Sequence, residues 1–380
     1  MGMIGRLFGR TEDRAAVSAE VAFNVVPSDQ GSRATTAMAE NLATVLACVN
    51  AIATVMGSLT PLVFRPKGDG REELRHHPVA RLVRAPYPGM TWPDWMEWAM
   101  GSTLLHGNAL AEILTDDAGR VTGLQPIPWP NVRPVLLPSG RPAYDVTVYP
   151  QSPRRLLAHE VFHLKDRSDN GLVGRSRVSR APSVITNAAA LQEYSVNAWE
   201  NQATPSGAIE IAASLNDDTA KSLRSRLEDR YAGPKNARRI MVLDSGAKWQ
   251  AMSVSPEDAE VLASRRFSVE ELCRLFQVPP PIVQSYEFNT FTNAAQASLW
   301  FAQFSLAPWC RKIEAEFARS VFIGNDGAHL EIDLSSLMRG DFETRWKAWE
   351  IAVRSDILDR NEIREMEGWG PRVVAEANVA

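Results

Sequence analysis

The sequence predicts an α+β chain in which a mixed body gives way to long helices, and three observations carry that prediction. Short runs between Ala109 and Val146, broken by Asp116-Asp117-Ala118-Gly119, read as strands joined by a hairpin turn, because Asp and Gly tolerate the required backbone angles. From Pro182 onward the apolar residues recur at helical spacing instead. A helix running to Gln277 then meets Val278-Pro279-Pro280-Pro281, and after a short polar loop a long aromatic-rich helix begins near Asn293.

The first 38 residues are rich in small and polar types and read as a flexible N-terminal arm. Within Met1 to Arg10 the apolar core is too short for a signal peptide. Asn41 to Phe64 carries no charge, but it does not read as a membrane span. Leu42, Val45, Leu46, Val49, Ile52, Ala53 and Met56 form one face of a helix over 40–57, interrupted by Thr44, Asn50 and Thr54 and ended by Gly57, Ser58 and Pro61. A strand follows at Leu62 to Arg65, and polar residues 66–75 read as a loop. Thr91 to Leu105 is a second helix, with Trp92, Trp95, Trp98 and Leu105 near one side. Strands are expected over Ala109–Leu114, Val121–Pro126, Val132–Val135 and Ala143–Val146.

Pro182 suits the first turn of the next helix, which carries Ile185, Ala188, Ala189, Leu191 and Tyr194, and Pro205-Ser206-Gly207 closes that region. A small module comes next: a strand over 208–211, a helix over 217–231 and a strand over 239–243. Ser255-Pro256-Glu257-Asp258 starts another helix, with Ser255 as cap and Asp258 able to complete a capping box. The aromatic helix holding Leu299, Trp300, Phe304 and Trp309 should bend at Pro308 and continue through Ile313, Phe317 and Val321. A strand over 330–334 and a final helical segment with Phe342, Trp346 and Trp349 complete the order.

The bulk numbers exclude some functions. With 380 residues, 45% hydrophobic and 23% charged, the chain has room for two or three domains or one elongated multi-part subunit. A net charge of −4 disfavours tight static binding to nucleic acid, which needs cations against phosphates. It allows a passage that must not hold its cargo. Cys48, Cys273 and Cys310 are widely spaced and odd in number, so they suggest structural thiols and neither a disulfide framework nor a zinc knuckle.

His159-Glu160-Val161-Phe162-His163 matches the zinc-protease pattern H-E-x-x-H. That chemistry needs a helix, so that both histidines meet one metal ion, and a third ligand. Asp166 and Asp169 stand where the extended signature has Gly and His. The local pattern fits either a helix or a strand at Val161–Lys165. The sequence contains no phosphate-binding G-x-x-x-x-G-K-[ST] loop and no G-x-S-x-G elbow.

Seven short motifs in order resemble those of HK97-type phage portal proteins, over about residues 40 to 371. They are His77-Pro78-Val79 with Ala85-Pro86; His106-Gly107-Asn108-Ala109; Asp117 to Leu124; Gly171 with Gly174-Arg175-Ser176; Ala203 to Gly207; Val278-Pro279-Pro280; and Asn361-Glu362-Ile363-Arg364 with Gly368 and Pro371. The chain departs from the family pattern at Leu110, at Ala295 and at Arg177, the last standing where proline is frequent.

The resemblance implies an elongated subunit divided as follows: arm 1–38, α+β wing 39–175, first stem helix region 176–204, clip 205–252, second stem helix 253–282, tunnel loop 283–298, tunnel helix and return to the wing 299–340, and C-terminal crown 341–380. It makes Val161–His163 a strand, and it implies no enzyme and no cofactor or metal. Implied partners are further copies of the chain in a ring, commonly twelve, double-stranded DNA in the channel, the terminase large subunit, the major capsid protein and a head–tail adaptor, at one vertex of a virion assembled in the host cytoplasm. A gene-transfer-agent particle would use the same part. Glu287, Asn289, Thr290, Thr292 and Asn293 would face the bore, and the basic turn with Lys235, Arg238 and Arg239 would touch DNA or dock a motor. The rival expectation is a zinc-dependent metallohydrolase built on residues 159–163.

Overall fold

The computed structural model describes residues 34–68, 70–148, 152–200, 207–210, 222, 248–251, 256–285, 291–322, 327–334, 337, 342–367 and 369–370. The chain divides into two compact units, one of residues 1–185 with 270–380 and one of residues 186–269.

The larger unit starts with α1 (Thr36–Glu40) and α2 (Ala43–Ser58). Helix α1 overlaps the expected arm: Thr35 caps it through a bond from Met38 N, and Ala34 and Ala39 are fully buried. Val45, Cys48, Val49, Ile52 and Met56 are the buried face of α2, so the uncharged stretch is one side of a core helix. Among the described residues, no helix is long and apolar enough to cross a membrane.

Strand β1 (Thr60–Lys67) pairs antiparallel with β2 (Gly70–Glu73) on one side and with β11 (His329–Asp333) on the other. The loop expected over 66–75 is therefore largely a hairpin. All four β2 residues are exposed, so the hairpin has no apolar alternation to reveal it. His77 then caps the short α3 (Pro78–Leu82), its Nδ1 accepting from Val79 N at 3.2 Å.

Helix α4 (Trp92–His106) opens with a capping box between Thr91 and Asp94 and ends on left-handed Gly107. It lies along α2. Trp92 and Trp95 are buried, and their indole N–H groups donate to the carbonyls of Leu59 and Leu124, each at 3.1 Å. With Phe162 and Phe317 they make an aromatic core with centroid distances of 5.1 to 6.2 Å.

Two three-stranded antiparallel sheets follow. One has the order β4-β3-β8, from β3 (Asn108–Thr115), β4 (Val121–Ile127) and β8 (Val161–Lys165). The other is β5-β6-β7, from β5 (Val132–Leu136), β6 (Pro142–Val146) and β7 (Arg154–Leu157). Leu110, Ile127, Trp129, Tyr144, Val146, Leu156 and Val161 share one core cluster. The hairpin expected at Asp116 forms there, with Gly119 at φ 76° and Asp116 accepting from the backbone of Ala118 and Arg120.

Next come α5 (Arg177–Arg180) and α6 (Pro182–Glu200). Helix α7 (Pro256–Phe276) leads to a 3-10 turn over Pro280–Val283. Helix α8 (Phe291–Trp300) runs through a π turn (Phe301–Leu306) into α9 (Ala307–Ser320). The bend expected at Pro308 takes this form because proline has no N–H to give the carbonyl of Phe304 and its ring crowds that carbonyl. At the C-terminal side α10 (Phe342–Arg354) and α11 (Arg360–Met366) are tied by Trp349 Nε1 donating to Glu367 at 2.9 Å and by an Arg345–Glu367 ion pair at 3.0 Å.

In the smaller unit, β9 (Gly207–Glu210) pairs antiparallel with β10 (Lys248–Ala251). The expected helix over 217–231, apart from residue 222, and the strand over 239–243 lie outside the described residues, as does the cap at Ser255. Strand β10 had no distinct signal in the sequence.

Candidate functional site: the root of the long helices

The end of α7 leaves carbonyls that need partners, and the chain supplies every one. Val278 N donates to Cys273 O at 2.9 Å and Gln277 N to Arg274 O at 3.1 Å, the paired bonds of a Schellman closure, with Gln277 at φ 59° in the position glycine usually takes. Arg177 reaches across from α5 and donates through Nη1 to Phe276 O at 2.7 Å and Leu275 O at 3.4 Å, while its Nε holds Asp166 at 2.8 Å. Both members of that ion pair are about one-tenth exposed. A cation at a helix C-terminus also meets the negative end of the helix dipole. Ser305 Oγ, in the π turn, donates to Gln277 O.

The triple proline repeats the device. Ser285 N donates to Pro280 O at 3.0 Å and Gln284 N to Pro281 O at 3.1 Å, with Gln284 at φ 63°. Two tight reversals, each centred on a left-handed glutamine, thus bracket the prolines. A non-glycine residue in this conformation costs about 1 kcal/mol, which the closed hydrogen bonds offset.

Behind this root, the segments Gly107-Asn108 and Gly174-Arg175-Ser176 cross in contact. A Cβ on Gly174 would lie 2.1 Å from Gly107 O, and one on Gly107 would lie 2.6 Å from Ser176 N, so backbone meets backbone. Asn108 bonds fully. Its Nδ2 donates to Gly174 O at 2.8 Å and His106 O at 3.2 Å, and its Oδ1 accepts from Gly174 N at 2.8 Å. Ser176 Oγ donates to Leu105 O at 2.6 Å and accepts from Val178 N at 3.1 Å, capping α5.

The same asparagine fixes His163. With Oδ1 accepting, His163 Nε2 carries the proton it donates at 3.0 Å, and Nδ1 accepts from the Tyr144 hydroxyl at 2.8 Å. Burial, reinforced by Lys165 and Arg319, holds the imidazole pKa well below its ordinary value, so the ring is neutral. Burial likewise pushes the Tyr144 phenol up. Trp129 stacks on the ring at 5.6 Å. The free edge of β8 is covered by charged side chains of α9: His163 N donates to Glu316 at 2.7 Å and Arg319 donates to Val161 O at 3.0 Å.

This geometry decides the H-E-x-x-H question. His159 lies in the turn between β7 and β8, and His163 in β8, so the two do not share a helix face. Both His163 nitrogens are engaged within the protein, and Glu160 accepts from Leu157 N at 2.8 Å. A strand is observed here, as the resemblance implies, but it runs two residues past His163, to Lys165. Among the described residues, no group of three His, Cys, Asp or Glu side chains could hold a metal ion.

The expected site residues are distributed unevenly. Glu287, Asn289 and Thr290, and the basic Lys235, Arg238 and Arg239, lie outside the described residues. Thr292 and Asn293 fall in the first turn of α8. Arg175 and Arg180 both pair with Asp169, and Arg177 is the clamp on α7, so these three cations hold the root together. The clamp was not visible in the sequence, because Arg177 and Phe276 are distant in the chain; the one hint was an arginine where the resemblance expects proline.

Comparisons with known proteins agree with this architecture. The family model described as phage portal protein matches residues 43–368. The portal protein of Enterobacteria phage HK97 is 29% identical over 340 residues, covering 87% of this chain and 79% of the relative. The probable portal protein of Streptomyces phage phiC31 is 26% identical over 342 residues, covering 86% and 74%. Among solved structures, a chain of the virion of a native gene transfer agent particle superposes with a TM-score of 0.67 at 24% identity, over 90% of this chain and 95% of that one. An HK97-family portal protein from Corynebacterium diphtheriae gives a TM-score of 0.53 at 17% identity, over 80% and 98%. With the family model matching residues 43–368 and the fold agreeing over most of the chain, this protein belongs to the phage portal protein family, whose members are structural connectors.

Proposed function

We propose that copies of this chain close into a ring, of twelve subunits, at one vertex of a phage or gene-transfer-agent capsid, and that double-stranded DNA passes through its centre. The observation that carries this is the agreement in fold with nearly the full length of a gene-transfer-agent virion chain. A second chain of that fold, at a TM-score of 0.65, belongs to a gene-transfer-agent neck computed with C12 symmetry. In this reading the ring packages, retains and ejects the genome, and docks the terminase large subunit before the head–tail adaptor. The wing 39–175 packs against neighbours and the major capsid protein. The stem regions 176–204 and 253–282 wall the passage, the clip 205–252 faces the motor, the tunnel segment 283–298, whose part from Phe291 on is helix α8 and not loop, narrows the bore, residues 299–340 return to the wing, and the crown 341–380 faces the capsid interior.

The clamp supports such a role. A passage under load needs the helices that wall it fixed at their root, and α7 ends with all its carbonyls engaged. A charge balance of −4 suits a conduit that touches DNA without trapping it.

Negative-stain imaging and mass measurement of the purified full chain test the proposal: rings with a central hole are expected, and a compact monomer at all concentrations would overturn it. Replacing Asn289 and Thr290 together then tests the loop. Rings should persist while DNA packaging or retention drops; unchanged DNA content would remove those residues from the bore.

A further inference from the structure

From Phe288 to Cys310 the chain contains no Asp, Glu, Lys or Arg. Over α8, the π turn and α9 one face is packed on the body: Phe301, Ala302, Leu306, Trp309, Ile313 and Phe317 are buried. A second face carries Leu299, Trp300 and Phe304 in the open, at 41%, 50% and 55% exposure. The Trp300 and Phe304 rings lie against each other with centroids 5.0 Å apart. The inward face already supplies the chain's own core, so this aromatic ledge is surplus to the fold of one subunit. Isolated exposed apolar residues are ordinary, but three large ones on adjacent turns, within an uncharged run, form a patch of the kind that interfaces bury.

We infer that the ledge is a contact between copies of this chain, with Trp300 and Phe304 covered by the neighbouring subunit. The inference rests on the ring reading above and names the surface that closes the ring. Charge selects the occupant. The core of a protein–protein contact is depleted of charge and enriched in aromatic residues, which is the composition of this uncharged run, and in a ring the protein surface at hand is that of the neighbouring copy. Duplex DNA fits poorly here, because its phosphates need cations or donors and its bases are stacked inside. Since a cyclic contact joins two different faces, the ledge seats on a surface of the neighbour other than its own ledge.

The double variant W300S/F304S tests this by mass measurement across a dilution series. The concentration at which rings dissociate should rise at least about tenfold, a loss of about 1.4 kcal/mol per contact. Rings as persistent as the wild type's would overturn the inference while leaving the ring reading intact, whereas absence of rings in the wild type would remove both. A second measurement does not depend on the double variant folding. Gln303 lies exposed between the two aromatics and the native cysteines are buried, so Gln303→Cys gives one accessible thiol. Maleimide should label it rapidly in dissociated chains and at least about tenfold more slowly in rings. Equal labelling rates in the two states would place the ledge in solvent and overturn the assignment.

Discussion

The Asn108 crossing and the Trp300 ledge each invert the usual placement of polarity. At the crossing, Asn108, His163 and Ser176 are nearly or fully buried, and their polar atoms have directed partners. On the ledge, two aromatic rings lie half in solvent, packed against each other. The difference is one of supply. Buried polarity is tolerated where one chain provides all the partners, and exposed apolar surface persists where one chain provides none. The first region shapes the subunit; the second awaits another.

Substitution should break that contrast most strongly at the glycines. Gly174→Ala forces a methyl group into Gly107 O, and we expect a loss of about 4 kcal/mol or more, read from the denaturant midpoint. Gly101, inside α4, has nothing within 4 Å of its missing Cβ, so Gly101→Ala should stabilise by about 0.5–1 kcal/mol. Equal shifts in the two variants would rule out backbone contact as the cause.

A smaller effect is expected at the clamp. Arg177→Met leaves Asp166 buried without its partner and two α7 carbonyls without donors, at a cost of about 3 kcal/mol. Hydrogen exchange should rise first at the last turn of α7 and at Val278; uniform exchange across the subunit would contradict a local clamp.

Smaller still is the response to acid. His163 has a folded pKa well below 6.5, so below that pH the unfolded chain binds a proton that the folded chain refuses. Stability contributed by the neutral ring is therefore present above pH 6.5 and falls by about 1.4 kcal/mol per pH unit as pH drops toward the folded value. His163→Gln should be less stable at neutral pH but show a shallower slope below pH 6.5. Parallel slopes would mean that the proton is taken up elsewhere.

Much of the fold was legible because its signals are local. Asp116 and Gly119 announced a hairpin, the helical spacing of Val45, Val49 and Ile52 announced α2, and the proline run announced the end of α7. Hairpin strand β2 was hidden because no residue in it is buried. The left-handed turns at Gln277 and Gln284 were hidden because glutamine, unlike glycine or asparagine, gives no turn signal. The clamp was hidden for another reason. Its partners sit on segments nearly a hundred residues apart, and only tertiary structure brings Arg177 to Phe276. Of the bore residues named from the sequence, Thr292 and Asn293 lie in a described helix, and Glu287, Asn289 and Thr290 do not.

The close approach of Gly107 and Gly174 bears on how such a protein diverges. A contact made where side chains are missing can drift in one direction only, toward collision. Any side chain at either position, even a single methyl group, must push the two backbone segments apart. What the spot requires is an empty space, and the only residue that supplies one is the one with nothing to add.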